Sequence, residues 1–213
     1  MIKSILSVLA LATTLSATTI VGETTSDPGL QAGLTIAVGW TQSSTWTNVA
    51  ITGLFATNAS QASVTAYLTN QIGVGTTAAN QIGGSSTLAV PSGGNHWTLT
   101  LFSGLTLGSG TYYLTVQPSD VNGGGGTGYI GTGTPTDTLG PGVTFLGVFM
   151  MGAAGYAPAG TPSTSIFPAT FSVTGSVTGG QGAPEPGTFG LLAAGAALML
   201  GLHRRRWRKN RAQ

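Results

Sequence analysis

From residue 30 to residue 178 the apolar residues recur at every second position, the period of a half-buried strand. Val64, Ala66 and Leu68 alternate with Thr65, Tyr67 and Thr69. Trp97, Leu99 and Leu101 alternate with Thr98, Thr100 and Phe102, and Tyr112, Leu114 and Val116 with Tyr113, Thr115 and Gln117. Stretches 35–41, 46–55, 143–151 and 170–178 add further strand candidates. Turn-formers separate them, such as Gly83-Gly84, Pro91-Ser92-Gly93-Gly94 and Gly108-Ser109-Gly110. No window of this body holds a helix of ten residues, and its threonine and valine favour extended backbone. The expected fold is all-β: a single antiparallel β-sandwich, jelly-roll-like, of about eight strands. A glycine- and threonine-rich disordered stalk is the rival, and the aromatics paired on alternating strands count against it.

Charge narrows the function. The chain has five acidic and seven basic residues, no cysteine, and a net charge of +2. Six of the seven cations stand in the last ten residues, and the seventh is Lys3. Between residues 24 and 184 only Asp27, Asp120 and Asp137 are charged. A body without lysine or arginine has no ion pairs to offer a phosphate backbone, so nucleic acid is excluded as a partner. The same lack excludes a cation-assisted phosphoryl site. Without cysteine there is neither a disulfide scaffold nor a thiolate metal site.

The two ends read as addresses. Met1-Ile2-Lys3-Ser4, the apolar run 5–15 and the small residues Ser16, Ala17, Thr18 and Thr19 have the three-part layout of a secretory signal peptide. Cleavage is expected after Ala17 or after Gly22, and residues 1–22 are assigned to the leader, which leaves 23–178 as the β domain. Residues 179–188 form a flexible linker containing Pro184-Glu185-Pro186. A 14-residue apolar run follows at 189–202, then a basic tail at 203–213 with Arg204, Arg205 and Arg206. As a helix that run is about 21 Å long, short of the roughly 30 Å hydrocarbon core. It suits transient retention. Arginines hold their end in the cytoplasm, so the body is expected across the membrane.

Together, Pro184-Glu185-Pro186, the apolar run 189–202 and Arg204 to Arg206 resemble the PEP-CTERM sorting signal of Gram-negative bacteria. The likeness covers about 30 residues of the chain end. It implies an exosortase as processing partner and brief residence in the inner membrane. It also implies a mature form at the cell surface or outside the cell, in species that make exopolysaccharide and biofilm. The body resembles the choice-of-anchor β domains in the stretches Ala37-Val38-Gly39-Trp40, Trp46-Thr47-Asn48-Val49-Ala50-Ile51, Val64-Thr65-Ala66-Tyr67-Leu68 and Leu107-Gly108-Ser109-Gly110-Thr111-Tyr112-Tyr113-Leu114. That family brings no assigned activity.

Residues that carry chemistry are few. His96 is the body's one histidine, and no Gly-x-Ser-x-Gly elbow accompanies it; an edge or turn position suits it better. Asp27, Asp120 and Asp137 are too dispersed to suggest a glycosidase pair. Asp120-Val121-Asn122 before Gly123 to Gly126 has oxygens for Ca²⁺, though an Asx turn opening a loop explains it as well. Asn58-Ala59-Ser60 matches a glycosylation sequon. Trp40, Trp46, Trp97 and Tyr129 would stack on sugar rings if exposed, whereas aromatics on strands are more often core. The expectation is a non-enzymatic exported surface or matrix protein, with no cofactor and no metal. The alternative is a carbohydrate-binding module that uses exposed aromatics to hold exopolysaccharide.

Overall fold

The structure, a computed structural model, describes residues 17–27, 34–57, 62–92, 96–118, 127–128, 132–165 and 167–177. The chain divides after Thr178, and all described residues belong to the part before that point. Residues 1–16, the linker 179–188, the apolar run 189–202 and the basic tail lie outside the described residues. Among the described residues no helix is long and apolar enough to cross a membrane.

Turn residues cut the described chain into β1 (Thr18–Asp27), β2 (Ile36–Gln42), β3 (Trp46–Thr57), β4 (Ala62–Thr69), β5 (Ser86–Val90) and β6 (His96–Leu107). Then follow β7 (Gly110–Pro118), β8 (Thr127–Gly128), β9 (Thr132–Leu139), β10 (Val143–Met151), β11 (Pro162–Thr164) and β12 (Phe171–Val177). One sheet has the order β6-β3-β12-β1-β9, with β8 also beside β3; the other runs β11-β10-β2-β7-β4-β5. Every pairing is antiparallel. With β8 to β11 set aside, the remaining strands run β1-β12-β3-β6 and β2-β7-β4-β5.

Strand parity builds the core. Alternate residues of a strand share a face, so Ile36, Val38 and Trp40 of β2 point inward together with Leu114 and Val116 of β7 and Val64, Ala66 and Leu68 of β4. The other sheet answers with Ile20, Val49, Ile51, Phe55, Phe171 and Val173. Trp40 stacks on Tyr112 with ring centroids 5.6 Å apart, and Phe145 meets Phe171 across the two sheets at 5.9 Å. Truncating a buried aromatic of this kind to alanine costs about 3–5 kcal/mol. The opposite face of the β2 sheet is tight in its own way. A methyl group at Gly39 would stand 2.8 Å from Tyr113 Cε1, so the bare glycine is what lets that ring lie across the strand.

Two sequence expectations change here. Residues 18–22, assigned above to the leader, are the first half of β1. Thr18 pairs with Gly175 and Val21 with both Val173 and Leu139, and Ile20 and Val21 are buried. In the structure Thr18 to Gly22 are thus paired as part of the β body. The strand number also exceeds about eight, because β5, β8, β9 and β11 are short or polar and give little apolar pattern to read. β9 (Thr-Gly-Thr-Pro-Thr-Asp-Thr-Leu) is an edge strand whose Pro135 and Asp137 discourage pairing with another chain.

The register also places the first and last described strands. Thr18 lies opposite Gly175, and Val177 lies opposite Trp46. The first and last strands thus enter and leave the sandwich side by side. The same end carries Gln42, the β6–β7 turn and the residues just after β4.

Candidate functional site

The tryptophans are the first test of the stacking set. Trp40 is 0% and Trp46 1% exposed, so neither shows a ring face to solvent. Both are core residues, which corrects the sugar-stacking reading for these two. Trp40 shares the inward parity of Ile36 and Val38, and that parity decides its fate. Trp97, near the start of β6, is 39% exposed, and Tyr129 lies outside the described residues. His96 opens β6 in an exposed position, and Asp137 is exposed on β9. Asp27 ends β1. Asp120, Asn122, the Asn58 sequon, Pro184 to Pro186 and Arg204 to Arg206 lie outside the described residues. Among the described residues no three His, Cys, Asp or Glu side chains gather as metal ligands would.

A concave site forms where two neighbouring strands stop at different places. β4 ends at Thr69, opposite Tyr113, whereas β7 runs back to Gly110 and there pairs only with β2. The gap is a groove of about 480 Å³. Its polar wall groups come from Asn70, Gln71, Asn80, Ser109 and Thr111, and Ile82 and Tyr112 supply apolar surface. None of these side chains is charged.

Both walls are held from behind. Gln42 is buried at 4% exposure and lies at the inward parity of Trp40. Its Oε1 accepts from Trp40 Nε1 at 3.1 Å. Its Nε2 donates to the carbonyl oxygens of Leu107 at 3.1 Å, Gly108 at 2.8 Å and Ser44 at 3.3 Å. Tyr112 Oη donates to Gly108 O at 2.8 Å. The β6–β7 turn is thereby tied to the core through side chains that pay little entropy on binding. On the other wall Thr77 caps the short 3-10 turn Ala78–Asn80: its hydroxyl accepts from Ala79 N, and Asn80 Oδ1 accepts from Thr77 N at 3.0 Å. Asn80 Nδ2 then donates to Asn70 Oδ1 at 3.1 Å, and Asn70 N to Asn80 O at 3.0 Å. Tyr156 Oη donates to Gln81 Oε1 at 3.0 Å, bringing the β10–β11 connection into the same support.

A second polar feature sits elsewhere. Glu23 is 4% exposed and lies opposite Phe171 and Asp137 in the register of β1 with its neighbours. Cross-strand partners share a face, so its carboxyl is on the side of Val21 and Val173. Oε1 accepts from Ala169 N at 2.5 Å. Burial pushes its pKa up from 4.5 to about 7, the hydrogen bond from Ala169 opposes this, and the nearby Asp137 adds to the rise. The group is a carboxyl held partly protonated near neutrality. Asp137, on an exposed edge strand, is the acid that the register places beside it, and no nucleophile is gathered there among the described residues, so its consequence is for stability.

Sequence reasoning missed the groove and both buried polar residues. Gln42 had a legible signal, as the fourth member of the series Ile36, Val38, Trp40, Gln42. The groove had none, because it depends on how far β4 and β7 overlap. Comparison with known proteins finds no family model that matches the chain and no curated protein that matches it.

Proposed function

We propose that this chain is an exported, non-enzymatic surface or extracellular-matrix protein whose tail is a PEP-CTERM sorting signal. The observation that carries the reading is the ordered tail: Pro184-Glu185-Pro186, the 14-residue apolar run and Arg204 to Arg206 in sequence. On this reading an exosortase is the processing partner and the inner membrane holds the precursor only until cleavage. The mature form stays at the cell surface or in exopolysaccharide outside a Gram-negative cell. The eight strands ordered β1-β12-β3-β6 and β2-β7-β4-β5 support a jelly-roll-like body, with β9 and β10 added before the last strand, β9 beside β1 in one sheet and β10 beside β2 in the other.

The fold sharpens the maturation expected at the front. Cleavage after Gly22 would remove Ile20 and Val21, buried at 0% and 1%, and half of a strand that sits between two others. Cleavage after Ala17 leaves β1 whole. Intact-mass measurement of the native protein tests both ends at once: the reading expects Thr18 as first residue and loss of the segment beyond the Pro-Glu-Pro triplet. Replacing Pro184, Glu185 and Pro186 with alanine should leave an uncut, membrane-bound precursor. Neutral residues at Arg204, Arg205 and Arg206 should spoil retention at the processing site. A triple-alanine variant that matures to the wild-type mass would reduce the tail to an ordinary anchor.

A further inference from the structure

We infer that the groove between the end of β4 and the start of β7 is a binding site for a neutral oligosaccharide. The inference deepens the proposed function by naming a site and ligand class for polymer association, and it rests on that reading only for its biological setting. The chemistry stands on the groove itself. Its volume of about 480 Å³ admits a few sugar rings. Sugar hydroxyls both donate and accept, and the walls answer with the same dual character: the amides of Asn70 and Gln71 and the hydroxyls of Ser109 and Thr111. Ile82 gives apolar surface for the C–H face of a ring.

Two features make this a built site rather than a dent. The first is division of labour. Gln42, Thr77 and Tyr112 spend their polar groups holding the walls, while the side chains of Gln71, Ser109 and Thr111 make no hydrogen bond to another described residue. Rigid walls with uncommitted groups facing the opening lower the ordering cost of a ligand. The second is charge. With no charged side chain in the lining, an anionic polymer gains no ion pair there to offset the desolvation of its carboxylates.

A peptide would also find amides and hydroxyls, but strand addition needs a free strand edge. Here β7 is unpaired on the β4 side only from Gly110 to Tyr112, too short a run to template a peptide strand. The groove therefore favours a sugar over a peptide. The groove is separate from the tryptophans of the alternative reading, since Trp40 and Trp46 are core and Trp97 stands on β6, outside the lining.

The test uses the full-length chain in a zwitterionic, sugar-free detergent, titrated calorimetrically with cello-, manno- and dextran-derived oligosaccharides. Alginate oligomers and a Gly-Ser-Thr peptide serve as contrasts. Saturable binding of at least one neutral glycan is expected, weakened about tenfold or more in the Gln71→Leu/Thr111→Val double variant and unchanged in Trp97→Ala. Circular dichroism of the double variant must match wild type, and Ser109→Ala provides a smaller second probe of the same wall. Absence of binding to every neutral glycan, equal binding of alginate or peptide, or binding that survives the groove variants and fails in Trp97→Ala would each overturn the proposal. Because the unprocessed chain is used, a failure of tail sorting leaves this result untouched, and failure here leaves sorting untouched.

Discussion

Gln42 and Glu23 are both buried to 4% exposure, both point inward from a strand, and they differ in chemistry. The Gln42 amide satisfies itself with one acceptor and three donor contacts, to Trp40, Leu107, Gly108 and Ser44. The Glu23 carboxyl receives one backbone N–H and faces a second acid. A neutral group that is fully paired adds rigidity at all pH values. A carboxyl in the same setting must either keep its proton or pay for desolvation. One region of the sandwich is thus built to be constant and the other is tied to pH.

Breaking the constant region should have the largest effect. Gln42→Leu strips Trp40 Nε1 of its acceptor, removes the amide donor from Leu107 O and leaves Gly108 O with the Tyr112 hydroxyl alone. The expected loss is about 4 kcal/mol, read from the urea midpoint of the full-length chain. Gln42→Glu keeps the acceptor for Trp40 but turns a carboxylate oxygen toward the Leu107 and Gly108 carbonyls in a buried site, so at neutral pH it should cost at least as much. A loss below about 1 kcal/mol for Gln42→Leu would mean that water replaces these bonds and that the network does little.

The pH-tied region should respond less, and with a definite sign. The carboxyl is protonated in both folded and unfolded chains at low pH. As pH rises past 4.5 the unfolded chain releases its proton, while the folded chain keeps it until about 7. The folded state then binds more protons, so stability falls with rising pH across that window and levels off above it. The expected size is about 2 kcal/mol, below the ceiling of about 3.4 that a shift of roughly 2.5 units would give. Glu23→Gln should flatten the profile and gain stability at pH 8, since an amide oxygen still accepts from Ala169. A wild-type stability that climbs from pH 5 to pH 8 would show that Glu23 is ionised and paired instead. Asp137→Asn should shrink the slope without removing it, because burial is the larger cause.

Much of this architecture was legible in the sequence where strands alternate cleanly. β4, β7 and β10 fall where the period of two puts them, whereas Trp40, offered from the sequence as a stacking residue, shares the parity of Ile36 and Val38 and is core. The illegible parts share a physical reason: they depend on pairing rather than on a strand's own pattern. β9 has almost no apolar residue and is a strand because β1 supplies its hydrogen bonds. β1 itself reads as the tail of a leader, since Ile20 and Val21 continue an apolar run and nothing local marks Thr18 as a strand start. The groove exists because β4 ends opposite Tyr113 while β7 continues, a difference of register that no single segment contains. Glu23 is the same kind of case, buried because of what Phe171 and Ala169 bring to it.

Between the fully paired amide and the underpaired carboxyl stands Thr115, which carries the smallest expected effect. Its hydroxyl is buried at 0% exposure, between Ala37 and Tyr67 in register, and Oγ1 has no hydrogen-bond partner among the described residues. It is neutral, so no pH dependence enters. Burying a hydroxyl without a partner costs free energy that a methyl group of the same shape does not. Thr115→Val should therefore leave the fold intact and raise stability by about 0.5–1 kcal/mol, equally at pH 5 and pH 8. The gain is smaller than the Glu23 effect because a hydroxyl is cheaper to desolvate than a carboxylate. A clear loss of stability would place a bound water on Oγ1 and extend the rule drawn from Gln42: in this sandwich even a lone buried hydroxyl is paired. A gain restricted to one pH would instead tie Thr115 to a titrating group such as Glu23.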